Sequence, residues 1–504
     1  MRRTLESVFW LIAVGFTVHV HAQPPQKTPV NVAEDVTWTR EVTVDRAVRV
    51  QKGTLTIAPG TKVTFAPGGV ISVTEEGALV AGGTERTPIE FVGTTTGLIR
   101  GTPGRIVIER CVITGVGEKD WLNAVAGKEG IAVRNCQITD CGRAFVRLGR
   151  WNRCEVSGCR LRACRGGIGI QGTGWAVVDR NAVEGADVSV GGALTTLMNN
   201  VVIRGTIVGD RTDRFLVERN YVHQPRTEGT YCIRQAEGVI RNNVFRGGSW
   251  VSARIGGKIT GNVFLSVPHE EVLREKKSFD RNCTHAHVCF LPAGSRLSRN
   301  IFVGAAYGGV VGVGSRTLSD CVFRNNTFDM RGYGNVFWLN HLARLHPKNI
   351  TIRSNLFMRS DGLWDSKGKT GLTDSVGYAD YNLWAGPEKA GRLRRKGRFH
   401  NVTMTVKSPG DPGFGGSDVP PYAERDRTLS PEAVVLNPNV TFPFSDEDML
   451  SGRHTVAEVL AHYRKAYSPK RGSPGIDAGD PADKDDPEVK DGKPDIGAVE
   501  YTGE

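Results

Sequence analysis

Residues 239–248 read VIRNNVFRGG, and the chain returns to this phrase many times. Variants stand at several places: VRNCQITDCG at 133–142, VERNYVHQ at 217–224, FDRNCTHAH at 279–287, LSRNIFVGA at 297–305, FRNNTFDM at 323–330 and IRSNLFMRS at 352–360. Seven Arg-Asn pairs occur, separated by 46, 39, 22, 40, 18 and 25 residues, and altered copies fill the longer gaps. A period of roughly 18 to 26 residues indicates a solenoid, in which each repeat forms one coil.

The residue types of the repeat select the kind of solenoid. Each repeat holds a short Val/Ile/Phe-rich run, an Asn, a second apolar run and a Gly, without the spacing of a helix. Leucine-rich repeats share the period but need Leu in a fixed framework, and Leu is sparse here. The sequence therefore predicts an all-β fold, a parallel β-helix whose coils stack about 4.8 Å apart.

The repeated Asn has two expected roles in such a coil. Asn tolerates the left-handed backbone of a sharp corner, and its side-chain amide can bond to its counterpart one coil away. We therefore expect an Asn ladder inside the solenoid, with the following Val-Phe or Ile-Phe pair in the core and the preceding Arg in solvent.

Composition divides the chain into five segments. We predict a signal peptide at 1–22, a lead-in at 23–52, the β-helix at 53–386, a basic linker and helical cap at 387–470, and an acidic segment at 471–504. Arg2 and Arg3 precede an apolar run, and Ala22 stands at the expected cut, so we expect a secreted, periplasmic or cell-surface protein. A retained N-terminal anchor is the alternative, and no other segment is apolar over the length that a membrane span needs.

The C-terminal region is irregular but contains one expected helix. The stretch TVAEVLAHYRKAY begins with Thr455 and has Glu458 three residues later, which is the pattern of a capping box. An uncovered last coil would be an exposed sheet edge, so we expect this region to cover the open end of the solenoid.

The formal charge of +12 is unevenly distributed. Residues 470–504 carry five basic and ten acidic side chains, a balance of −5, which leaves +17 on the rest of the chain. For an exported protein, this excess favours an acidic polysaccharide, anionic lipid or cell-wall polymer as partner over nucleic acid. A basic surface without a polyanion partner is the alternative, and we expect a monomer.

Five of the ten cysteines share the register of the repeat. Aligned coils place Cys111, Cys136 and Cys159 at one position, and Cys141 with Cys164 at another. Stacked coils bring such pairs to a distance that a disulfide between Cys141 and Cys164 would need. A ladder of small buried thiols is the alternative.

Several stretches together resemble a known group of proteins. LTIAPGTKVTF at 55–65, ALVAGGTERTPIEF at 78–91, the Asn coils, and the ending SPGIDAGDP with DGKPDIGAVEY are similar to exported bacterial right-handed parallel β-helix proteins of the pectate-lyase-like superfamily. The resemblance implies a right-handed solenoid and a surface groove for a polymer. In lyases of this type, a cation neutralises a uronate carboxylate while a base removes the neighbouring proton.

Residues 217–264 resemble, in outline, the chondroitinase B and alginate lyase type of β-helix lyase. The resemblance puts Arg234 at the position of the catalytic Lys and Arg254 at that of the catalytic Arg. The paired calcium-binding glutamates of that type fall on Thr227 and Gly229, which leaves only Glu228. Arg is also a poorer proton acceptor than Lys, so the alternative is two surface arginines on successive coils.

Two other clusters suggest chemistry. CTHAHVC at 283–289 places His285 and His287 on one face of an extended strand, where they could share a metal ion or supply a general base. An outward His pair without a ligand is the alternative. The acidic ending contains Asp485, Asp491 and Asp495, which offer oxygen ligands for a structural calcium ion, although the regular spacing of a calcium loop is missing.

An Arg-rich stretch with aromatic neighbours indicates polymer binding. Eight arginines between 134 and 165 stand beside only two acids, Asp140 and Glu155: they are Arg134, Arg143, Arg147, Arg150, Arg153, Arg160, Arg162 and Arg165. The side chains expected to grip an acidic glycan are Arg147, Arg150, Trp151, Trp175, Trp250 and Glu228. A solvated basic face is the alternative.

Three functional classes follow from these features. The first is a polysaccharide-active enzyme, a lyase or hydrolase of an acidic glycan, with Arg234, Arg254, His285 and His287 as candidate catalytic residues. The second is a noncatalytic β-helix that binds carbohydrate or a cell surface. The third resembles the copper-enzyme maturation protein NosD, but six Met in the chain do not favour a copper site. The fold analogy favours the first class.

Overall fold

The computed structural model of the 504-residue chain describes most of the repeat region and the C-terminal residues. The described residues are 28–93, 98–102, 104–115, 120–149, 152–191, 194–209, 215–225, 231–234, 237–247, 250–253, 256–266, 286–289, 291–304, 308–312, 319–331, 335–339, 349–359, 362–366, 376–385 and 430–502. In some strands after residue 234, only the backbone is described.

Three parallel sheets of fifteen strands each form a β-helix, because consecutive strands enter different sheets and every third strand pairs. Sheet 1 contains β1 (Val30–Val32), β4 (Ala47–Val50), β7 (Val70–Val73), β10 (Ile99–Gly101), β13 (Leu122–Ala126), β16 (Ala144–Leu148), β19 (Ile168–Gly172), β22 (Val188–Val190), β25 (Ile207–Gly209), β28 (Tyr231–Arg234), β31 (Trp250–Ala253), β34 (Ala286–Cys289), β37 (Gly308–Gly312), β40 (Asn335–Leu339) and β43 (Gly362–Ser366). Sheet 2 contains β2 (Val36–Trp38), β5 (Gly53–Ile57), β8 (Gly77–Gly82), β11 (Arg105–Glu109), β14 (Ile131–Arg134), β17 (Arg153–Ser157), β20 (Trp175–Asp179), β23 (Leu194–Met198), β26 (Phe215–Glu218), β29 (Glu237–Arg241), β32 (Gly256–Thr260), β35 (Arg296–Ser298), β38 (Val322–Arg324), β41 (Ile350–Arg353) and β44 (Val376–Asp380). Sheet 3 contains β3 (Glu41–Val44), β6 (Lys62–Phe65), β9 (Ile89–Gly93), β12 (Cys111–Thr114), β15 (Gln137–Thr139), β18 (Arg160–Arg162), β21 (Ala182–Glu184), β24 (Val201–Ile203), β27 (Tyr221–Gln224), β30 (Val244–Gly247), β33 (Val263–Leu265), β36 (Ile301–Val303), β39 (Thr327–Asp329), β42 (Leu356–Met358) and β45 (Leu383–Ala385).

The solenoid begins earlier in the chain than the sequence pattern suggests. Strands β1 to β4, within the segment expected to be a lead-in, already pair in register with the following coil, as in Val30 with Val48. Their VNV, VTW and EVTV runs lack the Asn and Gly that follow the apolar runs of the later repeats, which explains why the pattern does not reveal them. The last strand, β45, ends at Ala385, close to the predicted boundary.

Side chains alternate between the interior and the surface along each strand. In β11, Ile106 and Ile108 are buried, whereas Arg105 is exposed. The repeat Phe residues form a stack of rings inside sheet 3, with neighbouring centroids 4.5–5.6 Å apart: Phe245, Phe264, Phe302, Phe328 and Phe357. The expected core position of the Phe is thus confirmed, but its neighbouring Val or Ile lies on the outer face of sheet 3.

The Asn ladder is present and continuous over nine coils. Its rungs are Asn181, Asn200, Asn220, Asn243, Asn262, Asn300, Asn326, Asn355 and Asn382, all buried. Each side-chain Nδ2 donates to Oδ1 of the next rung at 2.9 or 3.0 Å. Successive rungs are 19 to 29 residues apart, except for the 38 residues from Asn262 to Asn300. The ladder confirms the predicted stack of Asn amides. Its spacing also shows that some repeats are longer than the sequence predicted.

The corner residue is not the ladder Asn itself. The left-handed conformation belongs to the preceding residue, which has φ of 52° at both Arg180 and Arg219 and 54° at Arg299. The prediction that one Asn makes both the corner and the rung is therefore wrong, because the rung needs an inward side chain and the corner residue points outward. The prediction that the Arg points to solvent also fails at Arg299, which is only 6% exposed.

Cysteines replace asparagines in the lower part of the ladder. Cys111, Cys136 and Cys159 occupy the rung position, and Cys159 N donates to Asn181 Oδ1 at 2.9 Å. Cys141 and Cys164 are reduced thiols in a parallel column, where they donate to backbone carbonyls at 3.1 and 3.4 Å. The structure thus has the ladder of buried thiols and no disulfide between these two residues.

The outer face of sheet 3 changes character along the solenoid. In the lower coils it is polar, with exposed Gln137 and Arg160 on β15 and β18. From β27 onward most of it is apolar and buried, and its apolar residues include Tyr221, Val244, Val263, Leu265, Ile301, Val303, Leu356, Met358 and Leu383. The covering layer is residues 430–502, named here the C-terminal segment, which contributes Val459, Leu460 and Tyr463 among others.

The described part of the C-terminal segment contains three helices where the sequence predicted one. They are α1 (Pro431–Val434), α2 (Asp446–Ser451) and α3 (Val456–Ala466). The capping box of α3 is confirmed, because Thr455 Oγ1 accepts from Glu458 N and Glu458 Oε2 accepts from Thr455 N. The helices lie along the side of sheet 3, with α2 against β21 and β24 and α3 against β30, instead of across the open end as expected. Residues 386–429 lie outside the described part.

Candidate functional site

The eight clustered arginines are divided among different faces of the solenoid. Ion pairs within the described residues join Arg134 to Glu155 at 2.6 Å, Arg143 to Asp120 at 3.1 Å and Arg162 to Glu184 at 2.9 Å. The hydrogen bond from Arg134 lowers the pKa of the Glu155 carboxyl. Each of these acids lies on the coil next to that of its arginine, and Asp120 and Glu184 stand outside residues 134–165, so a count of charges along that stretch overstates the positive field.

Two of the remaining arginines, Arg147 and Arg153, stand on either side of the corner between sheets 1 and 2. Arg147 is an outward residue of β16, and Arg153 is the first residue of β17. On the next coil, Gln171 pairs in register with Arg147, and Trp175 pairs in register with Arg153. We name these four residues the basic aromatic surface. Arg153 Cζ lies 4.7 Å from the centre of the Trp175 ring, which is a cation–π distance. Trp175 is 41% exposed, so this ring faces water on an open surface.

The two arginines of this surface contact aromatic rings. No ion pair involves Arg147 or Arg153 among the residues that the structure describes. Arg147 Cζ instead lies 5.5 Å from the centre of the Phe145 ring, and Arg143 covers the same ring at 4.4 Å. The predicted binding residues Arg150 and Trp151 lie outside the described residues, between these two arginines in sequence.

The lyase-like residues fall on three successive strands of sheet 1. Arg234 is exposed at the end of β28 and pairs in register with Ala253 of β31. Trp250 begins β31, and His287 lies on β34, but only the backbone of these two residues is described. The remaining members of this proposed site, Glu228, Arg254 and His285, lie outside the described residues.

The acidic residues proposed as calcium ligands are placed apart. Asp485 and Asp491 are exposed, whereas Asp495 is buried and accepts a hydrogen bond from Asp477 N at 2.7 Å and another from Tyr501 N. Burial raises the pKa of Asp495. Within the described ranges, no group of three His, Cys, Asp or Glu side chains is positioned to hold a metal ion. The calcium site stays a prediction.

Other acids of the C-terminal segment bind arginines of the solenoid. Asp483 accepts from Arg324 at 2.6 Å and from Arg353 at 2.7 Å, and its side chain is fully buried. Arg299 pairs with Asp486 at 3.2 Å and Glu500 at 2.9 Å. Burial raises the pKa of Glu500 to about 7. The separate acidic and basic regions of the sequence thus neutralise each other in the fold.

A cleft opens where the C-terminal segment meets the lower coils. It has a volume of about 580 Å³ and lies between the corner of sheets 2 and 3 and the junction of α2 with α3. The polar residues that line it are Arg160, Arg180, Asn181, Asn199, Arg219, Ser451, His454 and Thr455. Arg160 also donates to the carbonyl of Ser451 at 3.4 Å, which joins the two walls.

Sequence reasoning missed this cleft, although a signal for it exists. After β21 (AVE), the sheet 3 strands change from alternating to continuous apolar runs such as VFL and IFV. Strands that are buried on both faces have this composition, so a covering layer could have been predicted from the sequence. The edge of that layer is where a cleft forms.

The comparison with known families agrees with this architecture. The chain belongs to the right-handed β-helix family, because the model of the right-handed beta helix region matches residues 90–373, more than half of the chain. No curated protein gives a significant match. In the described part of the chain, none of the helices combines the length and apolar character of a membrane span.

Proposed function

We propose that the protein is an exported β-helix protein that binds an acidic polysaccharide through the basic aromatic surface. The observation that carries the proposal is the exposed Trp175 ring with Arg153 4.7 Å from its centre, and with Arg147 on the strand that precedes Arg153 in the same coil. A sugar ring can pack on an aromatic ring, while a guanidinium pairs with a carboxylate in a bidentate manner. Successive coils lie about 4.8 Å apart, so the surface suits an extended chain.

Equilibrium binding of the purified protein to a soluble polyuronate tests this proposal. We expect Trp175→Ala and Arg153→Gln each to weaken binding by about tenfold, because each removes a ring or charge contact. Arg296→Gln is the matched control, since Arg296 is an exposed arginine of sheet 2 on β35, outside this surface. Equal binding of a neutral glucan, or unchanged binding by both surface variants, would refute the proposal.

The second candidate is eliminative cleavage of the bound polymer. Its support is the arrangement of Arg234, Trp250 and His287 on adjacent strands β28, β31 and β34 of sheet 1. In this reaction Arg234 would neutralise the uronate carboxylate, and His287 would remove the neighbouring carbon-bound proton. Departure of the glycosidic oxygen would then leave an unsaturated end.

Ultraviolet absorbance of unsaturated ends, measured with and without calcium, tests for cleavage. We expect acidic glycans to yield such ends and Arg234→Ala to abolish them. New reducing ends without ultraviolet absorbance would indicate hydrolysis instead. Binding of the glycan without either product would reject the cleavage proposal and support the noncatalytic binding function.

A further inference from the structure

The cleft beside the C-terminal segment repeats a corner geometry that binds carboxylates elsewhere in the same protein. Its solenoid wall is formed by consecutive corners between sheets 2 and 3, including Arg180, Asn199 and Arg219. These residues share the left-handed backbone of Arg299, with φ of 52°, 55°, 52° and 54° in chain order. Side chains at these positions therefore project from the same edge of the solenoid.

The arginines of this edge differ in their exposure and in their ion-pair partners. Arg299 is 5% exposed at its side chain and lies against the carboxylates of Asp486 and Glu500. Arg180 is 72% exposed and pairs only with its sequence neighbour Asp179, at 2.8 Å, among the residues described. Over the same part of the chain, Arg219 forms no ion pair. Within the described residues, acids of the C-terminal segment thus pair with the arginine of the upper corner and with neither Arg180 nor Arg219.

The opposite wall of the cleft adds hydroxyl groups. The first turn of α3 faces the cleft, and the Glu458 carboxylate caps its N-terminus. Glu458 does not neutralise the cleft arginines, because it caps α3 and lies 3.1 Å from His454 Nδ1. Ser451 and Thr455 line the same wall.

We propose that this cleft is a binding site for a sugar acid, whose carboxylate takes the place at Arg180 and Arg219 that Asp486 and Glu500 take at Arg299. The volume of about 580 Å³ lies in the usual range for small-molecule sites and holds one or two sugar rings. Apolar side chains of Val201 and Leu450 line the cleft for the carbon face of a ring. This site is separate from the basic aromatic surface and does not depend on its function.

Titration calorimetry with galacturonic acid and its dimer tests the inference on the full chain. We expect saturable binding of the acid, no binding of galactose, and a loss of about tenfold or more in affinity for Arg180→Gln with Arg219→Gln. Ala457→Trp is a second variant, because Ala457 is exposed on the first turn of α3 and a large ring there would fill the cleft. Arg296→Gln is again the matched control and should bind normally.

Each outcome decides the inference. Binding of inorganic phosphate in place of the sugar acid would overturn the carboxylate assignment. Binding that survives both the double Arg variant and Ala457→Trp would overturn the location. Absence of binding to any of these probes would overturn the site itself. The double Arg variant tests this cleft and Trp175→Ala tests the polymer surface, so failure here and failure of the polymer surface are distinguishable.

Discussion

Replacement of one ladder residue, Asn243→Ala, should strongly destabilise the solenoid. The Asn243 side chain is buried and makes five hydrogen bonds. Its Oδ1 accepts from the backbone N and the Nδ2 of Asn220, at 2.9 and 3.0 Å. Its Nδ2 donates to Asn262 Oδ1 and to the carbonyls of Val217 and Arg241.

The expected cost follows from the groups that Ala leaves without partners. The buried backbone N–H of Asn220 loses its acceptor, and the amide donor to the coil below is removed. Each buried group left unsatisfied costs about 1–3 kcal/mol, so we expect a loss of about 3–5 kcal/mol in the free energy of unfolding. Asn243→Cys should cost less stability, because Cys136 and Cys159 hold the equivalent ladder position in lower coils. Their thiols donate to the equivalent backbone carbonyls there.

Urea unfolding followed by far-ultraviolet circular dichroism measures this difference. Asn123→Ala, at an exposed position on β13, is the matched control and should change stability by less than about 0.5 kcal/mol. A loss below about 1 kcal/mol for Asn243→Ala would refute the reasoning. A Cys variant as unstable as the Ala variant would show that the thiol rungs do not replace the amides.

Three further predictions concern the core and the C-terminal segment. Phe302→Ala removes a ring stacked between two others and should cost about 3–5 kcal/mol in thermal or urea unfolding, whereas Phe302→Leu should cost less. Asp483→Ala leaves Arg324 and Arg353 without their shared partner and should make the C-terminal segment more sensitive to limited proteolysis; an unchanged cleavage rate would contradict this. Burial raises the pKa of Glu500 from 4.5 to about 7, so in this window the folded protein holds a proton that the unfolded chain has lost. Stability should therefore fall as pH rises from about 4.5 to about 7, and Glu500→Gln should flatten that slope; an identical pH profile for both proteins would count against the assignment.

The repeat itself contains most of the information about the solenoid. The Asn rungs, the Phe stack and the capping box of α3 each arise from residues close in sequence or at a fixed period, and all three were predictable. The first coils escaped prediction because their strands are not followed by the Arg-Asn pair of the later repeats. The corner was misassigned by one residue because two adjacent Asn, as at 242 and 243, fit either role.

The contacts of the C-terminal segment could not be derived from the repeat. The Arg324 and Asp483 pair joins residues 159 positions apart, and the Tyr467 hydroxyl donates to Asp329 across 138 positions. Charge counts along the sequence treat such residues as independent, although the fold brings them together. The cleft depends on where this segment stops covering sheet 3, which no local pattern specifies. Trp175 was predicted to contact a glycan, and it is exposed on the basic aromatic surface. Arg150 and Trp151, predicted for the same role, lie outside the described residues.

The position of the C-terminal segment has a consequence for how the protein is made. Coils of a solenoid can form one upon another as the chain emerges, because each contacts mainly its neighbours. The residues that cover the upper part of sheet 3, however, follow all forty-five strands in chain order. Until they arrive, a stripe of Tyr, Val, Ile and Leu side chains faces water, as in an aggregation-prone folding intermediate. In a chain that ends before residue 430, this apolar stripe would stay exposed. Premature termination is therefore expected to give an aggregating protein instead of a shorter soluble one.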